Sequence, residues 1–402
     1  MTSTNGKRAL VVGLGVSGIA TAICLRKAGW EPVIVERAPG RRRGGYFIGL
    51  FEPGMDAAQR IGILDDIHDR YPSDCVSYTV DRAGNHKPGV QFPPGVRPRV
   101  VLRGDVERAA FEALPPDVEI RYATTPTRIE QDASGVDVTL EHEGTSVTER
   151  FDLVVGTDGL RSTVRRLVFG PHEKYLHRLG YMIAAFTVPE PIGGYTGNEY
   201  VALLEPDRSL WVVPFKDHPP SVLFSYRCDD IDAQFHGRPA DRVRAAYGPE
   251  PYGRLLGEAL DALDAADTYL FDSVEQVRMD TWSRGRVVLL GDSAWCPSLY
   301  SGMGAGGGLI GADLLGAMLA EHPDDVDAAL RAWEQTLRPA VESWQKLGVE
   351  KRFFFTPGSR LGVAMRPVLA RTLRVPLIYS ALARMNPGPA GKDLRREPAR
   401  AS

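Results

Sequence analysis

A short apolar run, Ala9-Leu10-Val11-Val12, passes directly into Gly13-Leu14-Gly15-Val16-Ser17-Gly18, and this junction constrains the fold more than any other part of the chain. Four consecutive apolar residues without alternation read as a strand buried on both faces, as in a parallel sheet. Ile19 to Ala28 reads as a helix closed by Gly29, a good residue for the position after a helix. Glu31 to Val35 is a second apolar strand, and Glu36 ends it. Strand, glycine turn, helix, strand and acid in that order form the context in which a GxGxxG turn cradles a dinucleotide. Gly13 permits the tight turn, Gly15 lets the backbone approach a pyrophosphate, and Gly18 lets helix and strand pack closely. Val16 and Ser17 lead into a helix whose N-terminus offers free N–H groups to an anion. Glu36, with Arg37 beside it, lies where a carboxylate accepts ribose hydroxyls. This turn by itself leaves open which dinucleotide is bound.

Two later segments narrow the choice. Phe151 to Val155 reads as another buried strand and delivers Gly156-Thr157-Asp158-Gly159-Leu160-Arg161-Ser162, with Ser162 placed to cap a helix from Thr163. Arg286 to Leu290 is a third such strand and delivers Gly291-Asp292-Ser293-Ala294. Gly302, Gly304, Gly306, Gly307 and Gly308 follow, opening a helix expected over Leu309 to Ala320. A carboxylate at a strand end suits a sugar-alcohol hydroxyl. A glycine-rich helix start suits a pyrophosphate, or a ring edge that gains negative charge on reduction, and leaves room for a flat ring. Three such segments can wrap one long dinucleotide, which points to FAD and redox chemistry.

In this order the motifs GLGVSG, GTDGLRSTVR and GDSAWCPSLYSGMGAG resemble the group A flavoprotein monooxygenases, the para-hydroxybenzoate hydroxylase-like enzymes and their tetracycline-modifying branch. The resemblance runs from about Arg8 to about Trp344. It implies an α/β architecture: a Rossmann-type FAD-binding domain (1–75, 98–178 and 272–325), an interleaved antiparallel-sheet substrate domain (76–97 and 179–271), C-terminal helices (326–385) and a mobile tail (386–402). It implies one FAD, with Gly13, Gly15, Gly18 and Glu36 at the ADP half, Gly291 and Asp292 at the ribityl chain, and Gly302, Gly304 and Ala305 in the ring loop. Asp158 would serve FAD and the approach of NADPH or NADH, and Arg103 and Arg43 would contact the flavin. It also implies that reduced flavin takes up O₂ to give a C4a-hydroperoxide, which hydroxylates or epoxidises an aromatic or polyketide-like molecule. The chain departs from the family in the ring loop. Ser293-Ala294-Trp295 stands for the usual Ala-Ala-His, Leu299 for a proline, Met303 for a glutamine and Gly306 for a polar residue. The altered loop, with Trp295, Leu299 and Met303, motivates an alternative, a redox-silent cyclase or isomerase in which FAD is a wall of the pocket. A dinucleotide-binding protein without catalysis is a third reading.

Between the second and third glycine segments, Tyr181–Val188, Glu199–Leu204, Ser209–Val213 and Ser221–Tyr226 read as strands of an antiparallel sheet. Tyr200, Trp211 and Phe224, with Phe215 and Tyr226, are candidates to line a substrate pocket, and Leu299 would join them from the ring loop. Trp333, Leu337, Val341, Trp344 and Leu347 recur at helical spacing and predict a long core helix bent near Pro339. Arg366 to Arg384 reads as a packed amphipathic helix with snorkelling arginines, membrane contact being the alternative.

The formal charge of −3 gives no reason to expect a nucleic-acid partner. No apolar run reaches the ~20 residues of a membrane span. Four scattered cysteines without CxxC, and eight histidines without ligand spacing, argue against a disulfide framework or a metal site and suit the cytoplasm. A small-molecule substrate is the expected partner. Catalytic residues and oligomeric state are left open, since the cofactor carries the hard chemistry.

Overall fold

The computed structural model describes residues 6–41, 45–89, 97–249 and 251–373. The apolar runs assemble into a six-stranded sheet of β1 (Arg8–Val12), β2 (Glu31–Val35), β7 (Glu119–Arg121), β11 (Leu153–Gly156), β17 (Ser283–Arg284) and β18 (Val287–Leu289). Their order is β17-β18-β11-β1-β2-β7, parallel throughout except between β17 and β18. In register, Val12 lies between Val35 and Gly156, and Gly156 lies beside Leu289. The three glycine segments therefore emerge side by side at the carboxyl edge of the sheet, where open α/β sheets bind ligands.

Helix α1 (Val16–Lys27) leaves the first glycine turn with nearly every side chain buried, because it lies between the sheet and α9 (Gly304–Glu321). A helix covered on all sides needs no polar face. It ends as its sequence predicts: Gly29 has φ +83°, and the Trp30 amide donates to the Leu25 carbonyl at 3.0 Å. Helix α4 (Thr163–Val168) likewise begins at Ser162, whose Oγ accepts from the Arg165 amide at 2.9 Å.

Helix α9 differs from expectation. It begins at Gly304, five residues before the predicted start, so Gly306 to Gly308 are its first turns. Glycine costs a helix about 1 kcal/mol per residue relative to alanine, and here close packing explains it. A Cβ on Gly307 would lie 3.0 Å from the Trp344 ring, and one on Gly308 would lie 2.2 Å from Ser17 Oγ. Gly54 of α2 (Glu52–Ile61) meets Gly306 in the same way, with a built Cβ 2.9 Å from the Gly306 Cα. The room that sequence assigns to a flat ring is, at these positions, room for neighbouring helices.

A seven-stranded sheet contains β4 (Val76–Val80), β5 (His86–Pro88), β12 (Leu176–Thr187), β13 (Glu199–Glu205), β14 (Arg208–Val213), β15 (Ser221–Arg227) and β16 (Leu270–Val277). Its order is β16-β12-β15-β14-β13-β4-β5, antiparallel except for the β13–β4 pair. One face carries Val222, Phe224 and Tyr226 into a core with α5 (Ile231–Gln234), α6 (Pro239–Tyr247) and α7 (Gly253–Ala265). The other face carries Ile183, Ala202, Trp211, Leu223 and Val274. A three-stranded sheet of β8 (Thr124–Gln131), β9 (Val136–His142) and β10 (Thr145–Phe151) packs beside the first. A two-stranded antiparallel sheet pairs β3 (Phe47–Leu50) with β6 (Arg99–Leu102), and β6 leads into α3 (Arg103–Glu112).

Helix α10 (Val326–Phe355) is the predicted long helix, 30 residues with Pro339 inside it and Trp333, Leu337, Val341 and Trp344 buried. Its far end reaches the second sheet, where Phe355 lies 5.5 Å from Trp211 between ring centroids. Helix α11 (Arg360–Leu373) follows. The segment beyond residue 373, with the expected tail, lies outside the described residues. No helix among the described residues is long and apolar enough to cross a membrane, and no group of three or more histidine, cysteine, aspartate or glutamate side chains among them could hold a metal.

Candidate active site

One cavity of about 1030 Å³ lies between the carboxyl edge of the first sheet and the inner face of the second. That is at the upper end of the ~300–1,000 Å³ usual for a small-molecule site. At one end are Gly15, Val16, Ser17, Arg103, Asp292, Gly304 and Ala305, and at the other are Tyr200, Trp211, Leu223 and Phe354.

Two helix N-termini open into the first end. Neither α1 nor α9 has a side-chain cap, and neither has an acid in its first turn. Uncapped N–H groups aimed into an enclosure are the usual requirement for binding a phosphate or a reduced ring. The glycines of the first turn divide by role. Gly13 has φ +108°, and a Cβ on it would lie 2.8 Å from the Thr157 carbonyl oxygen. A Cβ on Gly18 would lie 1.9 Å from the Gly13 carbonyl oxygen. Both are required by packing. A Cβ on Gly15 would meet only Arg103 Nη2, at 3.5 Å, so its bareness serves the cavity.

Arg103 begins α3 and is held there by a buried junction. Asp105 accepts from the Leu102 amide at 2.9 Å, and from Arg70 through Nε at 2.7 Å and Nη2 at 2.8 Å. Burial pushes the Asp105 carboxyl up, but the Arg70 fork and the Leu102 amide outweigh it and hold it below its ordinary range. Arg103 Nη1 also donates to the buried Glu107 carboxylate at 3.4 Å. Asp292 follows Gly291, whose φ is +76°. Burial raises the Asp292 carboxyl, against the opposing effects of the Cys296 thiol and the Arg103 charge. Tyr46 also lines the cavity, and burial pushes its phenol up to about 12, so it is a neutral donor.

Other predicted residues are placed differently. Glu36 stands beside the first turn outside the main cavity, accepting from the Leu14 and Ala38 amides at 2.9 Å each. Arg37 is exposed. Arg43 lies outside the described residues. Asp158 is not on the cavity wall: its carboxylate accepts from Ser162 Oγ at 2.5 Å and from the Thr163 and Val164 amides at 2.6 and 3.1 Å, capping α4. Its neighbours Thr157, Gly159 and Leu160 line the cavity instead.

Tyr200, Trp211 and Leu299 line the aromatic end, but Phe224 does not line the cavity. Phe224 pairs with Leu210 across β15 and β14 and points to the opposite face, where it stacks on Phe186 at 6.2 Å. Strand alternation sends Leu223 and Phe224 to opposite faces. Phe215 and Tyr226 are also outside the cavity, in neighbouring cores. Of the ring-loop departures, Trp295 packs against Trp282 at 4.8 Å and Trp333 at 5.7 Å, and Met303 is buried in the same core. Only Leu299 faces the cavity, so the redox-silent alternative loses two of the three residues that motivated it.

Sequence reasoning missed Lys351, Phe354 and Arg366, which line the cavity from α10 and α11. Lys351 did carry a signal. It continues the stripe Leu337, Val341, Trp344 and Gly348 at the same helical spacing, where a cation is out of place.

This fold and site define a flavoprotein oxygenase, and the comparisons agree. The chain belongs to the family described as the FAD binding domain, whose pattern matches residues 7–343, and within it to the FAD-dependent monooxygenases of group A. It is 29% identical over 348 residues to a flavin-dependent monooxygenase of an unknown prokaryotic organism, covering 85% of this chain and 87% of the relative. It is 32% identical over 357 residues to an uncharacterized protein of Mycobacterium tuberculosis, covering 85% and 92%. Among solved structures, tetracycline destructase Tet(55) superposes with a TM-score of 0.79 at 26% identity, covering 95% of this chain and 98% of that one. Klebsiella pneumoniae HpxO complexed with FAD and uric acid shares the fold, with a TM-score of 0.74 at 20% identity over 96% and 98%.

Proposed function

We propose that the enzyme uses NADPH or NADH to reduce bound FAD and then uses O₂ to hydroxylate or epoxidise an aromatic or polyketide-like small molecule. The observation that carries this reading is the single cavity. Its anion-binding end and its aromatic end belong to one cavity, so a cofactor and a second molecule can meet there. When bound, FAD supplies electron transfer and oxygen activation. The chain's own residues bind, orient and exclude water. The amides at the starts of α1 and α9 and the Arg103 guanidinium would hold negative charge, and Asp292 would accept a sugar-chain hydroxyl. Glu36 would take the ribose from the outer side of the first turn. Asp158 would act through the helix it caps, by fixing Thr157 and Gly159. Tyr200, Trp211 and Leu299 would bound the substrate.

Similarity to the tetracycline destructases supports a flat polycyclic substrate. Cys75, Cys228 and Cys296 form no disulfide among the described residues, which supports work in the reducing cytoplasm. The test is turnover of FAD-loaded protein with NADPH or NADH under ¹⁸O₂, with tetracyclines and smaller phenols as substrates. The reading expects product carrying one labelled oxygen atom, with nicotinamide oxidation that depends on substrate. Product formed without O₂, or labelled only from water, would reject it.

A further inference from the structure

The aromatic end of the cavity contains two cations, one buried and one half-buried, that no carboxylate neutralises among the described residues. Arg366 is only 7% exposed, and its guanidinium lies 4.2 Å from the Phe354 ring centroid and 5.4 Å from that of Trp211. Nη1 donates to the Phe354 carbonyl, whereas Nε is buried with no hydrogen-bond partner. No hydrogen bond from Nη2 is recorded among the described residues either. The Nε–Nη2 edge is the side of a guanidinium that grips a carboxylate through two parallel N–H bonds. An unpaired buried donor of this kind costs stability, and a residue placed only to brace α11 would not require it.

Lys351 stands one helical turn before Phe354 and Phe355, on the same wall, with its ammonium 5.9 Å from the Phe51 ring centroid. Among the described residues it makes no hydrogen bond or ion pair, and burial alone pulls it below its ordinary range. The acids nearest the cavity are engaged elsewhere. Asp272 accepts from Arg161, Glu275 from Ser273 and Arg161, and Asp292 lies at the cofactor end with Arg103. Glu350 also lines the cavity but is exposed and lies 3.9 Å from Lys346, with no ion pair to Lys351 or Arg366 among the described residues.

We propose that the substrate carries a carboxylate, which docks on the free edge of Arg366 with Lys351 as a second cation on the same wall. The aromatic rings of Trp211 and Phe354 would hold the apolar body while the two cations select its charged end. This rests on the reading that the aromatic end of the cavity is the substrate end.

The experiment titrates oxidised, FAD-loaded protein with matched acid and amide pairs, benzoate and benzamide, 2-naphthoate and 2-naphthamide, and anthracene-2-carboxylate and its amide, following the flavin absorbance. Neither nicotinamide nor oxygen is present, so the outcome is independent of whether the enzyme oxygenates. At least one acid should bind about tenfold or more tightly than its amide, which is about 1.4 kcal/mol. Lys351→Met, which removes no protein hydrogen bond, and Arg366→Gln should each erase most of that preference while retaining FAD. If the amides bind as well as the acids, if no acid binds, or if the preference survives both substitutions, the proposal is wrong.

Discussion

At the residue scale, two glycines three positions apart separate binding from folding. Gly15→Val should give a folded protein with little or no FAD, because the new side chain enters the cavity rather than the protein. Gly18→Ala should instead destabilise the fold by about 1–3 kcal/mol or more, because its methyl overlaps the Gly13 carbonyl. Thermal unfolding and flavin content, measured on both variants, check the contrast. A fully flavinylated Gly15→Val protein would remove this loop from the site. Asp292→Ala should weaken FAD binding about tenfold to a hundredfold, the loss of a hydrogen bond to a charged group. The apo-protein should not become less stable, because burial already disfavours that carboxylate. Equilibrium dialysis with FAD, alongside apo-protein melting, reads both.

At the element scale, the β6–α3 junction supports Arg103 from beneath. Arg70→Met leaves the Asp105 carboxylate buried without its cation, which costs on the order of 3 kcal/mol. The effect has a pH sign. The folded-state pKa of Asp105 is depressed, so its contribution is present above the unfolded carboxylate value near ~4 and is lost as pH falls through the lower folded value. Wild type and Arg70→Met should therefore differ most at neutral pH and converge in acid, as denaturant midpoints against pH would record. A difference that stayed constant down to pH 2 would assign the loss to packing rather than to the ion pair. The uncapped starts of α1 and α9 belong to this scale too. Both helices forgo an N-cap residue where one would add stability, and both point the exposed amides at the same space.

At the scale of the whole molecule, sequence made the first sheet legible, and the reason is local. The apolar runs of β1, β11 and β18 each pass into a glycine segment, so strand and turn announce themselves together, whereas the short β7 and β17 carry no such signal. The substrate sheet was legible as strands but not as faces. Both of its faces are apolar, one against helices and one against the cavity, so period-2 alternation could not assign Phe224 to one side and Trp211 to the other. The glycines of α9 read as loop because propensity alone argues against a helix there, whereas tertiary packing with α2, α10 and Ser17 decides it. Asp158 read as a ligand contact, and its geometry is that of a helix cap. Lys351 and Arg366 come to the site from a distant part of the chain; the apolar stripe of α10 marks Lys351 as a cation out of place, but no local pattern says which cavity either residue enters. One wall of the cavity thus depends on α10 spanning from the first core to the second sheet.

The most direct test of a redox flavoprotein with one shared cavity is anaerobic mixing of the FAD-loaded protein with NADPH and with NADH. The visible flavin band is followed with and without the aromatic acids and tetracyclines named above. The account predicts bleaching by at least one nicotinamide, accelerated by a ligand that occupies the aromatic end. A flavin that stays oxidised with both donors and every ligand would contradict it and make the bound FAD a structural wall.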